Sequence, residues 1–170
     1  MTTQPLAQTF KIDAIGGVFL TGVTLFFATK DDATPVWVEI RNCIAGAPGR
    51  QVLPYSRKIL EPSSINIDFE KGEEPTRFVF DSPVYCQEGQ EYAIVLISNS
   101  DAYKVWVSEV GGFDIADTTK RVIKQPYNGV FFTSANASTW TPEQTKDLKF
   151  TLYRANFTSN SATVVLTNDD

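Results

Sequence analysis

The sequence predicts an all-β protein, an antiparallel β-sandwich of jelly-roll-like layout with at most one short helical turn. Short runs rich in Val, Ile, Phe, Thr and Tyr recur along the chain, and turn-forming Gly, Pro, Asn and Asp separate them. No long segment has the periodicity of a helix. At 170 residues, of which 42% are hydrophobic and 21% charged, the chain has the size and composition of one globular domain.

The first strands follow from composition and alternation. Apolar segments predict strands over Leu6–Ile12 and Val18–Ala28, and the turn sequence Asp31–Pro35 ends the second. The third, Val36–Cys43, alternates most clearly over Val36–Arg41. There Val36, Val38 and Ile40 share one face, while the other face carries Trp37, Glu39 and Arg41. One face of this strand is therefore expected to point into the core.

The middle of the chain continues the same pattern. Glu91–Ser98 is apolar on both faces, which predicts a central strand covered on both sides. Turn chemistry at Gly46–Gly49, Glu70–Pro75 and Gln87–Gln90 favours chain reversal, and hence antiparallel neighbours. The remaining predicted strands are Ser64–Phe69, Arg77–Phe80, Lys104–Val110, Gly129–Thr133, Leu148–Phe157 and Ala162–Thr167.

One helical signal occurs near the C-terminus. Thr141 is a capping residue, Pro142 stands at the first helical position and Gln144 at the capping-box position, which predicts one turn of helix. Residues 1–158 are expected to form the sandwich. The stretch Thr158–Ser161 resembles a short linker before the apolar run Val164–Leu166, so we expect residues 159–170 to form a C-terminal tail suited to packing on a neighbouring domain or chain.

Charge and hydropathy exclude two classes of partner. The chain has 15 basic and 20 acidic residues and a net charge of -5, without a basic stripe that could attract a phosphate backbone. No apolar run approaches the roughly 20 residues that span a bilayer, and the N-terminus lacks the plan of a signal peptide. We expect no nucleic-acid or membrane partner and a soluble protein made inside the host cell.

Catalytic chemistry is poorly represented. The sequence has no histidine, the commonest general base and metal ligand, and Cys43 and Cys86 lack the spacing of a zinc site. Asp68 with Glu70, Glu73 and Glu74 could supply oxygen ligands to calcium, but their spacing is better explained by a solvated turn. We predict no enzyme, cofactor or metal; a paired-carboxylate glycan hydrolase or lyase is the catalytic alternative.

Aromatic side chains are the best candidates for a functional surface. Four lie among polar neighbours, where a ring could contact a partner protein or stack on a sugar. The competing interpretation for each is a role in the core or as the anchor of a loop. The predicted contact residues are Tyr103, Trp106, Tyr127 and Trp140.

The order of the segments resembles that of a known module. The segments that carry the resemblance are Pro5–Phe10, Gly17–Thr21, Leu25–Lys30, Pro35–Arg41, Pro83–Tyr85, Glu91–Leu96, Gln125–Gly129, Ser138–Trp140 and Asp147–Phe150. The chain resembles a β-sandwich module of structural proteins, including baseplate wedge components, in large contractile-tailed phages. The resemblance covers about Pro5 to Phe157 and carries no catalytic residue.

The resemblance implies a non-enzymatic virion module of the tail or baseplate, which packs against other virion proteins. Such a chain would be made in the bacterial cytoplasm and reside in the virion. The segment Ala7–Phe10 is also similar to the start of jelly-roll modules attached to bacterial surface and carbohydrate-acting proteins. That similarity implies the alternative, a carbohydrate-binding module that recognises host surface glycans.

Overall fold

A computed structural model gives the fold and describes residues 1–109 and 129–155. Within these ranges the chain forms fourteen β-strands and one short 3-10 helix, at Pro62–Ser64. The strands are β1 Thr2–Thr3, β2 Leu6–Lys11, β3 Val18–Thr29, β4 Val36–Ile44, β5 Ala47–Val52, β6 Lys58–Leu60, β7 Pro75–Cys86, β8 Glu91–Ser98, β9 Lys104–Val105, β10 Val107–Glu109, β11 Phe131–Thr133, β12 Thr141–Glu143, β13 Lys146–Leu148 and β14 Phe150–Arg154.

Two antiparallel sheets form the layers of a β-sandwich. The first sheet has the order β12-β11-β2-β8-β4-β5, with β6 also paired to β4. The second has the order β1-β9-β3-β14, with β7 also paired to β3, and β10 and β13 form a separate pair. The long strands β2, β3, β4, β7 and β8 alternate between the two sheets, which gives the jelly-roll-like crossing. The predicted fold class is confirmed.

The core lies between the two sheets, because the inward side chains of the long strands are almost all apolar. Each such burial contributes roughly 1.5–3 kcal/mol relative to an exposed side chain. The first sheet contributes Leu6, Phe10, Val36, Val38, Ile40, Ile94 and Leu96. The second contributes Leu20, Val23, Leu25, Phe27, Phe78, Phe80, Val84 and Val105.

The strands with the longest apolar runs lie where the sequence predicts them. The predicted strands at Leu6, Val18, Val36 and Glu91 are observed as β2, β3, β4 and β8, with ends that differ by one residue at most. In the first sheet β8 lies between β2 and β4, so the strand predicted to be central is central. Its alternating side chains face the main core on one side and a second apolar cluster on the other.

Other strands differ from the prediction in extent. The strand predicted over Arg77–Phe80 runs from Pro75 to Cys86, because eight of its twelve residues pair with β3 and its side chains alternate between core and solvent. The strand predicted over Lys104–Val110 is divided into β9 and β10, which pair with different strands. Two later predictions are observed in shortened form, as β11 and β14.

The prediction of a strand over Ser64–Phe69 is wrong. Pro62–Ser64 forms a 3-10 turn, and only Ile67 makes an isolated bridge, to Phe27. The backbone N–H of Asn66 donates to the hydroxyl of Thr76 at 3.0 Å rather than to a strand. Side-chain acceptors of this kind compete with the ladder of a sheet, which explains the irregular path.

The prediction of a helical turn at Thr141 is also wrong. Thr141–Glu143 is strand β12, which pairs with β11 at the edge of the first sheet. An edge position tolerates Pro142 because its missing N–H can face away from the neighbouring strand. Tertiary pairing therefore outweighs the local capping signal here.

Two short strands of the first sheet are absent from the prediction. The turn expected over Gly46–Gly49 begins earlier, with positive φ at Ala45 and Gly46, so that β5 already starts at Ala47. Strand β6 pairs with the beginning of β4. The strand predicted over Ala162–Thr167 and the tail predicted over residues 159–170 lie outside the described residues.

Candidate functional site

The outer face of the second sheet carries a row of aromatic and apolar side chains. Alternation along β7 turns Phe78 and Phe80 into the core and leaves Arg77 and Val79 on the outside. Phe19, Val79 and Tyr85 are 41%, 49% and 49% exposed, and they lie on the paired strands β3 and β7. We name this surface the aromatic face; it consists of Phe19, Phe26, Arg77, Val79, Tyr85, Lys149 and Tyr153.

One end of the aromatic face is a ring pair on neighbouring strands. Phe19 on β3 lies opposite Tyr85 on β7, and their ring centroids are 5.1 Å apart. The hydroxyl of Tyr85 donates to the carbonyl of Gly16 at 3.0 Å. Gly17, with φ of +84°, lies under this ring, and a Cβ there would be 2.9 Å from Tyr85. The ring of Tyr85 is thus held in place by the Gly16–Gly17 turn.

The centre of the aromatic face is held by a cation–π contact. The guanidinium carbon of Arg77 lies 3.9 Å from the ring centroid of Tyr153, and the Tyr153 hydroxyl and the Thr24 hydroxyl are 3.0 Å apart. Arg77 is exposed and forms no ion pair with any residue that the structure describes. Its positive charge therefore has no counter-charge in the part of the chain that the structure describes.

The other end of the aromatic face joins a surface loop. The ammonium of Lys149 lies 4.3 Å from the ring centroid of Phe26 and donates to the carbonyl of Gly72 at 2.6 Å. Gly72 belongs to the turn that follows Asp68, whose carboxylate accepts hydrogen bonds from the backbone of Glu70, Lys71 and Glu73. These hydrogen bonds lower the pKa of Asp68. The acidic cluster is thus organised as a turn.

Trp106, a predicted contact residue, anchors this same turn. Its indole N–H donates to the carbonyl of Asp68 at 2.7 Å, and its ring covers Gly72, where a Cβ would be 2.6 Å from the ring. Trp106 is half-buried. Its role is therefore the loop-anchoring alternative rather than a free binding surface.

The remaining predicted contact residues are not brought together. Tyr103 is fully buried, its hydroxyl donates to the carbonyl of Thr34 at 2.5 Å, and burial raises its pKa. It belongs to the core, so its prediction as a contact residue is wrong. Trp140 packs on the opposite side of the first sheet, and Tyr127 lies outside the described residues.

Sequence reasoning missed the aromatic face although a signal was present. In Arg77–Phe80 every second residue is aromatic and points inward, so the intervening Arg77 and Val79 must point outward on a sheet. Extension of that alternation through β7 also places Tyr85 outside. The signal was hidden because the predicted strand ended at Phe80, before Tyr85.

The outer face of the first sheet is partly covered and holds a buried carboxylate. Glu39 is 1% exposed and accepts hydrogen bonds from Trp37 Nε1 at 3.1 Å, Arg41 Nε at 3.3 Å and an Arg57 nitrogen at 3.4 Å. Arg41 also donates to the carbonyl of Ala137 at 2.8 Å. A paired-carboxylate mechanism needs a second acid opposite the first, whereas these neighbours of Glu39 are donors.

Ala137 belongs to residues 134–140, the loop that covers part of this face. The hydroxyl of Ser134 and the amide oxygen of Asn136 accept backbone hydrogen bonds within the loop, at 2.8–3.2 Å. Trp140 packs against the buried cluster of Ala7, Ala93, Val95 and Phe132. Its indole nitrogen is buried and has no hydrogen-bond partner among the residues that the structure describes.

Metal and thiol chemistry have little support in the described parts of the chain. Residues 1–109 and 129–155 contain no group of three or more Cys, Asp or Glu side chains placed to hold a metal ion. Both cysteines are free. Burial, assisted by Glu91, raises the pKa of Cys43 to about 12, and burial alone raises that of Cys86 to about 12. Across the same ranges, no helix is both long and apolar enough to span a bilayer.

Comparisons with known proteins yield no relative. No family model, no curated protein and no solved structure matches this chain.

Proposed function

We propose that this chain is a non-enzymatic structural module of the virion of a contractile-tailed phage, a component of the tail or baseplate that acts in protein–protein assembly. Its partners are other virion proteins, and it is made in the cytoplasm of the bacterial host. The observation that carries the proposal is the aromatic face, with Phe19, Val79 and Tyr85 each about half exposed on a sheet. Aromatic and Arg side chains dominate the energetics of protein interfaces.

The aromatic face is also preorganised. Tyr85 is held by Gly16, and Tyr153 is held between Thr24 and Arg77. Fixing a mobile side chain on association costs roughly 0.5–1.5 kcal/mol, so rings that are already ordered make association more favourable. This supports a surface built for docking over rings that are exposed by chance.

Virions from the phage that encodes the chain provide the test. We expect the polypeptide in purified tail or baseplate fractions, and we expect Val79→Asp to reduce its incorporation at least tenfold, because the new charge must be desolvated at the interface. Ile59→Asp is the matched control, because Ile59 is 53% exposed on the first sheet. Absence of the polypeptide from particles contradicts the virion role. Normal incorporation of Val79→Asp contradicts the role of the aromatic face in docking.

A carbohydrate-binding module is the second candidate, and the residues that support it differ from the contact residues predicted from the sequence. The exposed ring of Tyr85 could stack on a sugar, and a polar cleft of about 390 Å³ lies beside the 134–140 loop, lined by Thr133, Ser134, Asn136 and Thr139. A glycan array at millimolar concentration separates the two candidates. Binding that Tyr85→Ser or Asn136→Ala abolishes favours glycans. If no glycan binds and both variants lower only the melting temperature, the glycan function fails.

A further inference from the structure

An apolar cleft opens between the two sheets, at the place where β2 and β14 end and β3 begins. Its volume is about 240 Å³, larger than the roughly 150 Å³ cavity that accommodates benzene in a protein core. The inner wall consists of core side chains, among them Phe10 and Leu20, which are 1% and 2% exposed. Val18 and Leu152 are half-buried and form the outer wall. We name this the edge cleft.

The rim of the edge cleft is charged. Lys11 and Arg154 line it and are both exposed, and neither forms a hydrogen bond or ion pair through its side chain with a residue that the structure describes. Asp13 contributes one negative charge to the same rim. The rim therefore has an excess of one positive charge in a chain whose net charge is -5. An apolar body with an anionic group beside it is the complementary ligand.

The edge cleft is continuous with the aromatic face, because Tyr153 belongs to both. We propose that the edge cleft receives a segment of the protein partner in which an aliphatic side chain is followed directly by Asp or Glu. The aliphatic side chain contacts Val18 and Leu152, and the carboxylate pairs with Arg154 and Lys11. The inference rests on the proposed function, since it names the chemistry of the partner that docks on this side of the sandwich.

Short peptides test the chemistry directly. The ¹⁵N-labelled full chain is titrated with acetylated, amidated Gly-Leu-Asp-Gly and with the same peptide carrying Asn or Lys in place of Asp. We expect millimolar binding of the Asp peptide, with amide shifts centred on Ile12, Val18 and Leu152. An exposed ion pair contributes up to about 1 kcal/mol, so the Asn peptide should bind roughly fivefold more weakly and the Lys peptide weaker still.

Variants assign the effect to the cleft. Arg154→Gln should remove the preference for Asp over Asn, whereas Arg50→Gln, on the exposed part of β5, should retain it. Val18→Trp should fill the cleft and abolish binding of all three peptides. Equal binding of the three peptides, no binding, or shifts centred on other residues overturns the proposal. If these outcomes occur while Val79→Asp still blocks incorporation into virions, the docking function stands without the edge cleft.

Discussion

The carboxylate of Glu39 and the guanidinium of Arg41 form a buried ion pair on the outer face of the first sheet, with Oε2 and Nε 3.3 Å apart. Their side chains are 1% and 10% exposed. Residues i and i+2 of a strand share a face, which is why two charges on β4 meet here. Arg41 extends the contact to the 134–140 loop through the carbonyl of Ala137. The pair therefore links the sheet to the loop that covers it.

Replacement of Glu39 should destabilise the fold. Glu39→Gln leaves the guanidinium of Arg41 buried without its counter-charge, and loss of one partner of a buried pair costs on the order of 3 kcal/mol. Urea unfolding followed by circular dichroism measures the change. Asp81→Asn is the control, because the Lys58–Asp81 pair is exposed and should contribute about 1 kcal/mol or less. Similar losses in both variants would contradict the importance of burial.

Asp31 should contribute to stability at mildly acidic pH. The hydroxyl of Ser100 and the backbone N–H groups of Thr34 and Ala33 donate to its carboxylate, and they lower its pKa from 3.8 to about 2. The folded-state pKa lies below the unfolded one, so this contribution is present above about pH 4 and is lost as the pH falls towards 2.

Asp31→Asn should therefore flatten the fall in melting temperature between about pH 4 and pH 2. Asp68, whose pKa is also lowered, retains part of the slope. Asp32→Asn serves as the control, because Asp32 is an exposed neighbour that forms none of these hydrogen bonds. An unchanged slope in Asp31→Asn speaks against the stabilising role of its hydrogen bonds.

The sequence predicts the long strands well because their side chains carry two signals at once. In β4 and β8, β-branched residues coincide with a clear pattern of burial, so local and tertiary preferences agree. They disagree at Thr141–Glu143, where a helix-start pattern becomes an edge strand because β11 offers a partner. They also disagree at Asn66, whose backbone bonds to the side chain of Thr76.

The aromatic face and the edge cleft are less predictable from sequence than the fold. The aromatic face depends on the register of β3 with β7, which brings Phe19 opposite Tyr85 although 66 positions separate them in the chain. The rim of the edge cleft joins Lys11 to Arg154 from opposite ends of the described chain. Local composition contains neither relationship. Local composition instead favours Tyr103, which lies in the core, and Trp106, which anchors the turn after Asp68.

Both thiols should be unreactive in the folded protein. Because their pKa values are about 12, very little of Cys43 and Cys86 is ionised to thiolate at pH 8. We therefore expect both to react with an aromatic disulfide reagent roughly a thousandfold more slowly than a solvent-exposed thiol. In denaturant both thiols should react rapidly with the same reagent. Rapid titration of either thiol in the native state contradicts this.

The contribution of the same two protonated thiols to folding stability should be lost at alkaline pH. Their folded pKa values lie above the ordinary value of 9.0, so the contribution is full below about pH 9 and is lost as the pH rises towards 12. Cys86→Ala in the core should weaken this alkaline dependence in thermal melts, while the reactivity of Cys43 stays unchanged. If the melting temperature of Cys86→Ala falls more steeply at alkaline pH than that of the unsubstituted chain, this role of the Cys86 thiol is contradicted.

Gly17→Ala should destabilise the protein more than Gly16→Ala. Both glycines have φ above +80°, so an added Cβ strains the backbone equally. At Gly16 nothing lies within 4 Å of that Cβ, whereas at Gly17 it would be 2.5 Å from the carbonyl of Cys86 and 2.9 Å from Tyr85. The clash with backbone should add about 2 kcal/mol in urea unfolding. Because it displaces Tyr85, Gly17→Ala should also reduce incorporation into virions, while equal stability of the two variants would show that the turn can move away from β7.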